Sequence, residues 1–251
     1  MLTPVATRLI SAAPRDAITE IQRELILRQK EAATGRLTDV GLALGGEIRR
    51  QVELDRSLSD ITVLTDLNKV TSARLSGAQG ALGALNATAD DFINAMLTAR
   101  DSPSAATIMG EKGMAAAVDL ARVLNTRIAG VFVFGGDRGD TAPVADISAQ
   151  NGTGLAAKAS MESAFSAHFG FGSDDPLASA ITPSQFRAFY DGPFAALFDT
   201  AGWKANWSVA GDAPLMTEIA PGRLSEAGSS ANQPGFAKLM QAYGAAAAFS
   251  G

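Results

Sequence analysis

Residues 48–99 read IRRQVELDRSLSDITVLTDLNKVTSARLSGAQGALGALNATADDFINAMLTA. Taken in alternating steps of three and four, the stretch presents Ile61, Leu64, Asn68, Thr71, Leu75, Ala78, Leu82, Leu85, Ala89, Phe92 and Met96. That spacing is the seven-residue repeat of a helical seam, and only Asn68 and Thr71 are polar within it. A helix of about 50 residues is about 75 Å long at ~1.5 Å per residue, longer than a compact domain. One helix cannot bury a continuous seam alone, so the seam needs other helices from this chain or its neighbours. The stretch therefore reads as part of a rod that packs rather than the wall of a pocket that reacts.

Composition agrees. Hydrophobic residues make up 47% of the 251, enough for a core, while aromatics are only 6% and small residues are plentiful, as suits closely packed helices. The net charge of −5 and the lack of a basic run argue against nucleic acid as a partner. Cysteine is absent, which excludes disulfides, a thiol nucleophile and a cysteine-ligated metal. No apolar run approaches the ~18 residues that span a bilayer, so no membrane partner is expected. Met1 to Ala13 carry one arginine and no long apolar stretch, a poor secretory signal.

Going outward from the seam, residues 1–15 hold Pro4 and Pro14 and read as unordered alone, helical once packed. Asp16 is the expected N-cap of a first helix with Ile18, Ile21, Leu25 and Ala32 on one face, ended by Thr34-Gly35. Arg36 to Gly46 reads as a glycine-punctuated connector with an apolar patch at Leu42 and Leu44. Within the long helix Gly77, Gly80 and Gly83 each cost about 1 kcal/mol relative to Ala, which points to close helix approach or a bend. Asp101-Ser102-Pro103 stops the helix. The next runs from Ser104 to Ile128 or Val131, antiparallel to the long helix, with Ala117, Leu120, Ala121, Leu124 and Ile128 as its stripe. Val131 to Phe134 is a β-like run closed by Gly135-Gly136.

After Thr141 the heptads stop, and a compact α+β domain is expected over 141–230, inserted into the helical rod. It holds a helix over 155–170 and a second capped by Ser184 over Phe186, Phe189 and Tyr190. Strands at Trp207–Val209 and Leu215–Ile219 would flank a Gly211-Asp212 turn, and Trp203 and Trp207 would fill the core. Residues 230–234 open a last helix with Phe236, Leu239, Met240 and Tyr243 on one face. The sequence stops soon after, which points to a longer natural protein or a trimmed chain.

Candidate chemistry is sparse. His168 is the single histidine, set between Phe165 and Phe169, and reads as a helix-surface or core-edge residue. Asp174-Asp175-Pro176 lacks the Asp-x-Asp-x-Asp-Gly pattern of a calcium loop and reads as a turn with capping carboxylates. Asp90-Asp91 reads as solvated. Gly135-Gly136-Asp137-Arg138-Gly139 lacks the Gly-Lys-Ser/Thr of a phosphate loop, and no Gly-x-Ser-x-Gly occurs. No catalytic residue, cofactor or metal site is expected.

Two segments carry a resemblance. Leu25-Ile-Leu-Arg-Gln-Lys-Glu-Ala-Ala-Thr34-Gly35-Arg36 is similar to the Gln…Ser/Ala-Thr-Gly-(Lys/Arg) segment near the N-terminus of the flagellin superfamily, and the heptad helix follows at the expected distance. Asn125-Thr-Arg-Ile-Ala-Gly130 followed by Val131-Phe-Val-Phe134-Gly135-Gly136, with Asp140-Thr-Ala-Pro143 behind it, resembles the family's Asn…Gly-(Arg/Tyr)-Tyr-Leu-Phe-(Ser/Ala/Gly)-Gly…Thr-Pro-Pro-Phe pattern. The second pattern is closer to the hook-associated proteins of the hook–filament junction than to filament flagellins. Asp39-Val-Gly-Leu-Ala-Leu-Gly45 departs from the familiar Asp-Asp-Pro or Asp-Asp-Ala and resembles a variant of α-proteobacterial junction proteins. The likeness covers 16–143 well and 184–243 loosely.

The resemblance implies a mainly α fold. An antiparallel, coiled-coil-like rod of flagellin type spans 1–140, an α+β domain is inserted at 141–230, and 231–251 begins a truncated return helix. It implies a non-enzymatic subunit of the extracellular flagellum, exported through the flagellar secretion channel without a cleaved signal peptide. Its partners would be hook-associated protein, flagellin, copies of itself and an export chaperone. Family members pair N- and C-terminal helices, so a chain lacking most of the latter is expected not to polymerise normally. Packing is assigned to Ile61, Leu64, Leu75, Leu82, Leu85, Phe92, Met96, Leu120, Leu124 and Ile128, and the family pattern to Thr34, Gly35, Arg36, Asn125, Phe134, Gly135 and Gly136. A filament flagellin is the alternative within the family. An enzymatic or ligand-binding domain at 141–230 on a helical stalk is the alternative outside it, and a deep polar cleft near His168 would favour it.

Overall fold

The computed structural model describes residues 5–35, 40–147 and 152–250. The chain forms two compact units, Met1–Val63 and Leu64–Gly251. The first holds helix α1 (Val5–Thr34) and the opening residues of α2 (Val40–Ala99). Helix α1 starts well before Asp16, so Asp16 is interior and not a cap; Pro14 also lies within the helix. The end is as expected: Gly35 takes a φ of +64°, and its N–H donates to the Glu31 carbonyl at 2.9 Å. Arg36 and the connector to Asp39 lie outside the described residues, as does the Leu42 side chain. The rest of the connector is already helical, because Val40 to Gly46 continue into α2. Every described side chain from Pro14 to Val63 is exposed except Glu31, which is half-buried.

The second unit contains the core. Residues 64–99 of α2 end at the expected turn, where the Ser102 N–H donates to the Ala99 carbonyl and the Ser102 hydroxyl accepts from the Ser104 N–H. Helix α3 (Ala105–Leu124) follows, shorter than its sequence stripe predicts. The chain leaves the helix at Asn125 and turns at Ala129-Gly130 between two short antiparallel strands, β1 (Arg127–Ile128) and β2 (Val131–Phe132). Both turn residues have positive φ, as a two-residue type I′ hairpin requires.

Helix α4 (Gly152–Phe169) opens earlier than 155, and a 3₁₀ turn over Pro176–Ala180 is capped by Asp175, whose carboxylate accepts from the Leu177 N–H at 2.9 Å. Helix α5 (Pro183–Phe189) is capped by Thr182 and not Ser184: Thr182 and Gln185 form a reciprocal capping box with Pro183 in the first turn. A π turn at Tyr190–Phe194 and a 3₁₀ turn at Ala195–Leu197 lead to α6 (Thr200–Asn206), capped by Asp199.

Trp207 therefore terminates a helix, and Trp207–Val209 is not a strand of a hairpin. The hairpin lies further on, between β3 (Met216–Ala220) and β4 (Arg223–Glu226), with Gly222 at φ +71° in its turn. The last helix, α7 (Pro234–Phe249), starts where the sequence predicts.

Helices α3 and α7 face one another through small residues. Gly113, Ala116, Ala117, Leu120, Ala121 and Leu124 of α3 are buried, as are Ala237, Met240, Tyr243, Gly244, Ala245 and Ala246 of α7. Around them one hydrophobic cluster joins Leu85 and Phe92 of α2 to Phe134, Ile147, Met161, Phe189 and Trp203. Few aromatics are present, but they concentrate here. Phe165 meets Phe249 at 5.0 Å and Phe189 at 5.5 Å, while Trp207 stacks on Phe198 at 5.2 Å and on Trp203 at 6.2 Å. Both tryptophans are buried, and the Trp203 indole N–H donates to the Ala231 carbonyl at 3.1 Å.

Candidate assembly interface

Only part of the heptad frame faces this core. Leu85 and Phe92 are 3% and 8% exposed, Thr71 is buried, and Leu64, Ala78 and Met96 are half-buried. Leu75 and Leu82, placed in the same seam by the sequence frame, are each 42% exposed. The buried side of α2 runs along Thr71, Ala78, Leu85, Phe92 and Ala99, with Arg74, Ala81, Thr88 and Ala95 half-buried beside them. That second column lies one residue before the Leu75, Leu82, Ala89 and Met96 of the frame. Its members are mostly small, so an apolar periodicity cannot single them out.

The large aliphatics thus lie to one side of the core-facing stripe. Leu75, Leu82, Ile93 and Leu97 are all exposed and fall within an arc of about 60° at 3.6 residues per turn. In the first unit Ile48, Val52, Leu58 and Ile61 on α2, and Ile18, Ile21 and Leu25 on α1, are exposed too. Ile18, Ile21 and Leu25 share one face of α1, as Leu75, Leu82, Ile93 and Leu97 share one of α2, whereas Ile48, Val52, Leu58 and Ile61 spread over about 180° of the helix. Scattered exposed residues need no explanation, but apolar residues that recur on one open face are candidates for an interaction surface. Leu120 and Leu124 are fully buried on α3, and Ile128 is half-buried. The Ile128 Cδ1 occupies the space a side chain at Gly77 would need, whereas Gly80 and Gly83 face open space. Close approach therefore accounts for one of the three helix glycines within this chain.

The residues of the second sequence pattern tie the chain's crossing point after α3. The Asn125 side-chain amide donates to the Val144 carbonyl at 2.8 Å, and its oxygen accepts from the Val144 N–H at 3.0 Å, so one side chain copies a backbone pair. Phe134 is fully buried, with its ring edge-on to Phe236 at 5.8 Å. The Gly135 carbonyl accepts from the Gly211 N–H at 2.9 Å. Gly136 has φ +62°, and a Cβ there would strike the Gly211 carbonyl oxygen, so the position needs glycine twice over. Nearby, the Lys204 ammonium at 2.6 Å and the Asn232 amide at 2.8 Å hold the Asp212 carboxyl below the usual carboxylate range.

Sequence reading missed Asn232, which also donates to the Ala210 carbonyl and accepts from the Ser208 hydroxyl. No spacing rule marks such a residue. Thr34, the remaining described residue of the first pattern, donates its hydroxyl to the Lys30 carbonyl at 2.7 Å.

Two recesses of the second unit bear on chemistry. The cleft beside His168, about 460 Å³, is lined by Phe169, Phe171, Leu177, Ile181 and Gln185 among others. His168 is exposed, with its ring edge-on to Phe169. Six of its eight lining residues are apolar, and none is a carboxylate. A groove of about 440 Å³ is lined by Phe92, Met96, Met109, Phe186 and Phe249, with Arg187 at its edge in an ion pair with Asp191. Among the described residues no group of three or more His, Asp or Glu is placed to hold a metal, and no helix is long and apolar enough to cross a membrane.

Comparison with known families places this geometry. Residues 5–136, slightly more than half of the chain, match the model of the bacterial flagellin N-terminal helical region. The chain belongs to the bacterial flagellin family. No characterised protein and no solved structure matches the chain. Membership of the flagellin family makes the chain a structural subunit of the bacterial flagellum, outside the cell, which works by assembling with other flagellar subunits and with itself. It points to a structural protein rather than an enzyme. The matched span includes the whole of α1, α2 and α3 and ends on Gly136, the glycine of the crossing point. For a flagellin, the exposed aliphatic columns of α1 and α2 are where burial on assembly has room to occur.

Proposed function

We propose that this flagellin-family chain is a hook-associated subunit of the joint between hook and filament. The reading is carried by the segment Asn125–Pro143, whose pattern is nearer to junction proteins than to filament flagellins. Its helices pack laterally as a coiled-coil-like rod, with Leu75 and Leu82 among the residues that meet other helices. The portion over 141–230 forms a domain that projects from the tube. Before assembly an export chaperone covers exposed aliphatic columns, and the chain leaves the cell through the flagellar secretion channel without a cleaved signal peptide.

The test is a strain of the source bacterium lacking every copy of the gene. Its hooks are imaged by electron microscopy, and flagellin is assayed in the medium. Bare hooks with abundant shed flagellin are the expected result, because filament subunits are exported and find no base. Bare hooks without shed flagellin would assign the chain to the filament itself. Normal filaments and normal swimming would overturn the junction reading.

A further inference from the structure

We draw no further inference here: the strongest candidate, the apolar groove between α2, α5 and α7 lined by Phe92, Met96, Phe186 and Phe249, carries none because nothing in the structure shows what covers it.

Discussion

Glycine to alanine is expected to act in opposite directions at two places in the second unit. At Gly113 a Cβ would lie 2.7 Å from the Ala246 Cβ, 2.7 Å from the Ala247 nitrogen and 2.8 Å from the Tyr243 carbonyl oxygen. Carbon contacts are optimal near 3.5–4.0 Å, so α3 and α7 must separate by roughly 1 Å. Two of the three obstacles are backbone atoms, which no rotamer change removes. Overpacking of this kind costs about 1–3 kcal/mol, and separation loosens the small-residue contacts along the pair. Against this, alanine gains about 1 kcal/mol in helix propensity. The net expectation for Gly113→Ala is a loss of up to about 2 kcal/mol, and more for Gly113→Val.

At Gly80 nothing lies within 4 Å of the same hypothetical atom. Only the propensity gain remains there, so Gly80→Ala should stabilise the isolated chain by about 1 kcal/mol. For a domain of this size 1 kcal/mol moves Tm by about 2–4 °C. Thermal unfolding followed by circular dichroism at 222 nm should separate the two variants by about 2–12 °C with wild type between them. Shifts of equal sign at both positions would refute the close α3–α7 approach.

Truncating the buried side of α2 should differ from truncating its open side. Leu85→Ala should lose about 2–5 kcal/mol as a large-to-small core change, while Leu75→Ala should stay within about 0.5–1 kcal/mol of wild type; equal losses in denaturant melts would remove the distinction between the two columns. Ala129 holds φ +49° in the hairpin turn, where a Cβ costs about 1–2 kcal/mol, so Ala129→Gly should raise stability by about 1 kcal/mol, and a lower melting temperature would contradict the turn. The buried Tyr243 hydroxyl has no hydrogen-bond partner among the described residues, and burial raises its pKa. Unfolded tyrosine ionises near pH ~10, so the folded state binds the proton more tightly than the unfolded state, and stability falls as pH rises above that value. Tyr243→Phe should be neutral or stabilising at pH 7 and should flatten this alkaline decline. A decline of unchanged steepness in pH-dependent melts would exclude Tyr243 as its source.

What was legible in the sequence follows the size of the side chains. Leu85, Phe92, Leu120 and Leu124 announce themselves by apolar periodicity and are buried. The helix stop at Asp101-Ser102-Pro103 and the start at Pro234 are written in proline, serine and asparagine chemistry, and both appear. The rotation of α2 was not legible. An ideal helix drifts about 20° per heptad against a strict seven-residue repeat, and the core-facing second column of Ala81, Thr88 and Ala95 adds little hydrophobicity to fix the phase. The stretch at Trp207 reads as a strand because it precedes a Gly211-Asp212 turn and a second strand-like run at Leu215–Ile219. The Asp199 cap, which accepts from the Ala201 and Gly202 N–H groups at 2.9 and 2.7 Å, was the stronger local signal. Of the interface, the presence of an apolar face was readable, but which leucines stay uncovered was not.

The two sides of α2 argue for one division of labour. Toward the core the helix offers Ala78, Ala81 and Ala95 alongside three large apolar residues, Leu85, Phe92 and the half-buried Met96; away from it stand Leu75, Leu82, Ile93 and Leu97. Fully burying such a side chain is worth about 1.5–3 kcal/mol, and one already half covered retains about 1 kcal/mol to gain. Four of them together supply about 4 kcal/mol, close to a 10³-fold change in an association constant at about 1.4 kcal/mol per tenfold. The same residues contribute little to the stability of the isolated chain. A Leu75→Ser and Leu82→Ser double variant should therefore melt close to wild type yet fail to restore motility in the deletion strain. A variant that unfolds would place these leucines in the core. One that folds and restores full swimming would show that this face takes no part in assembly.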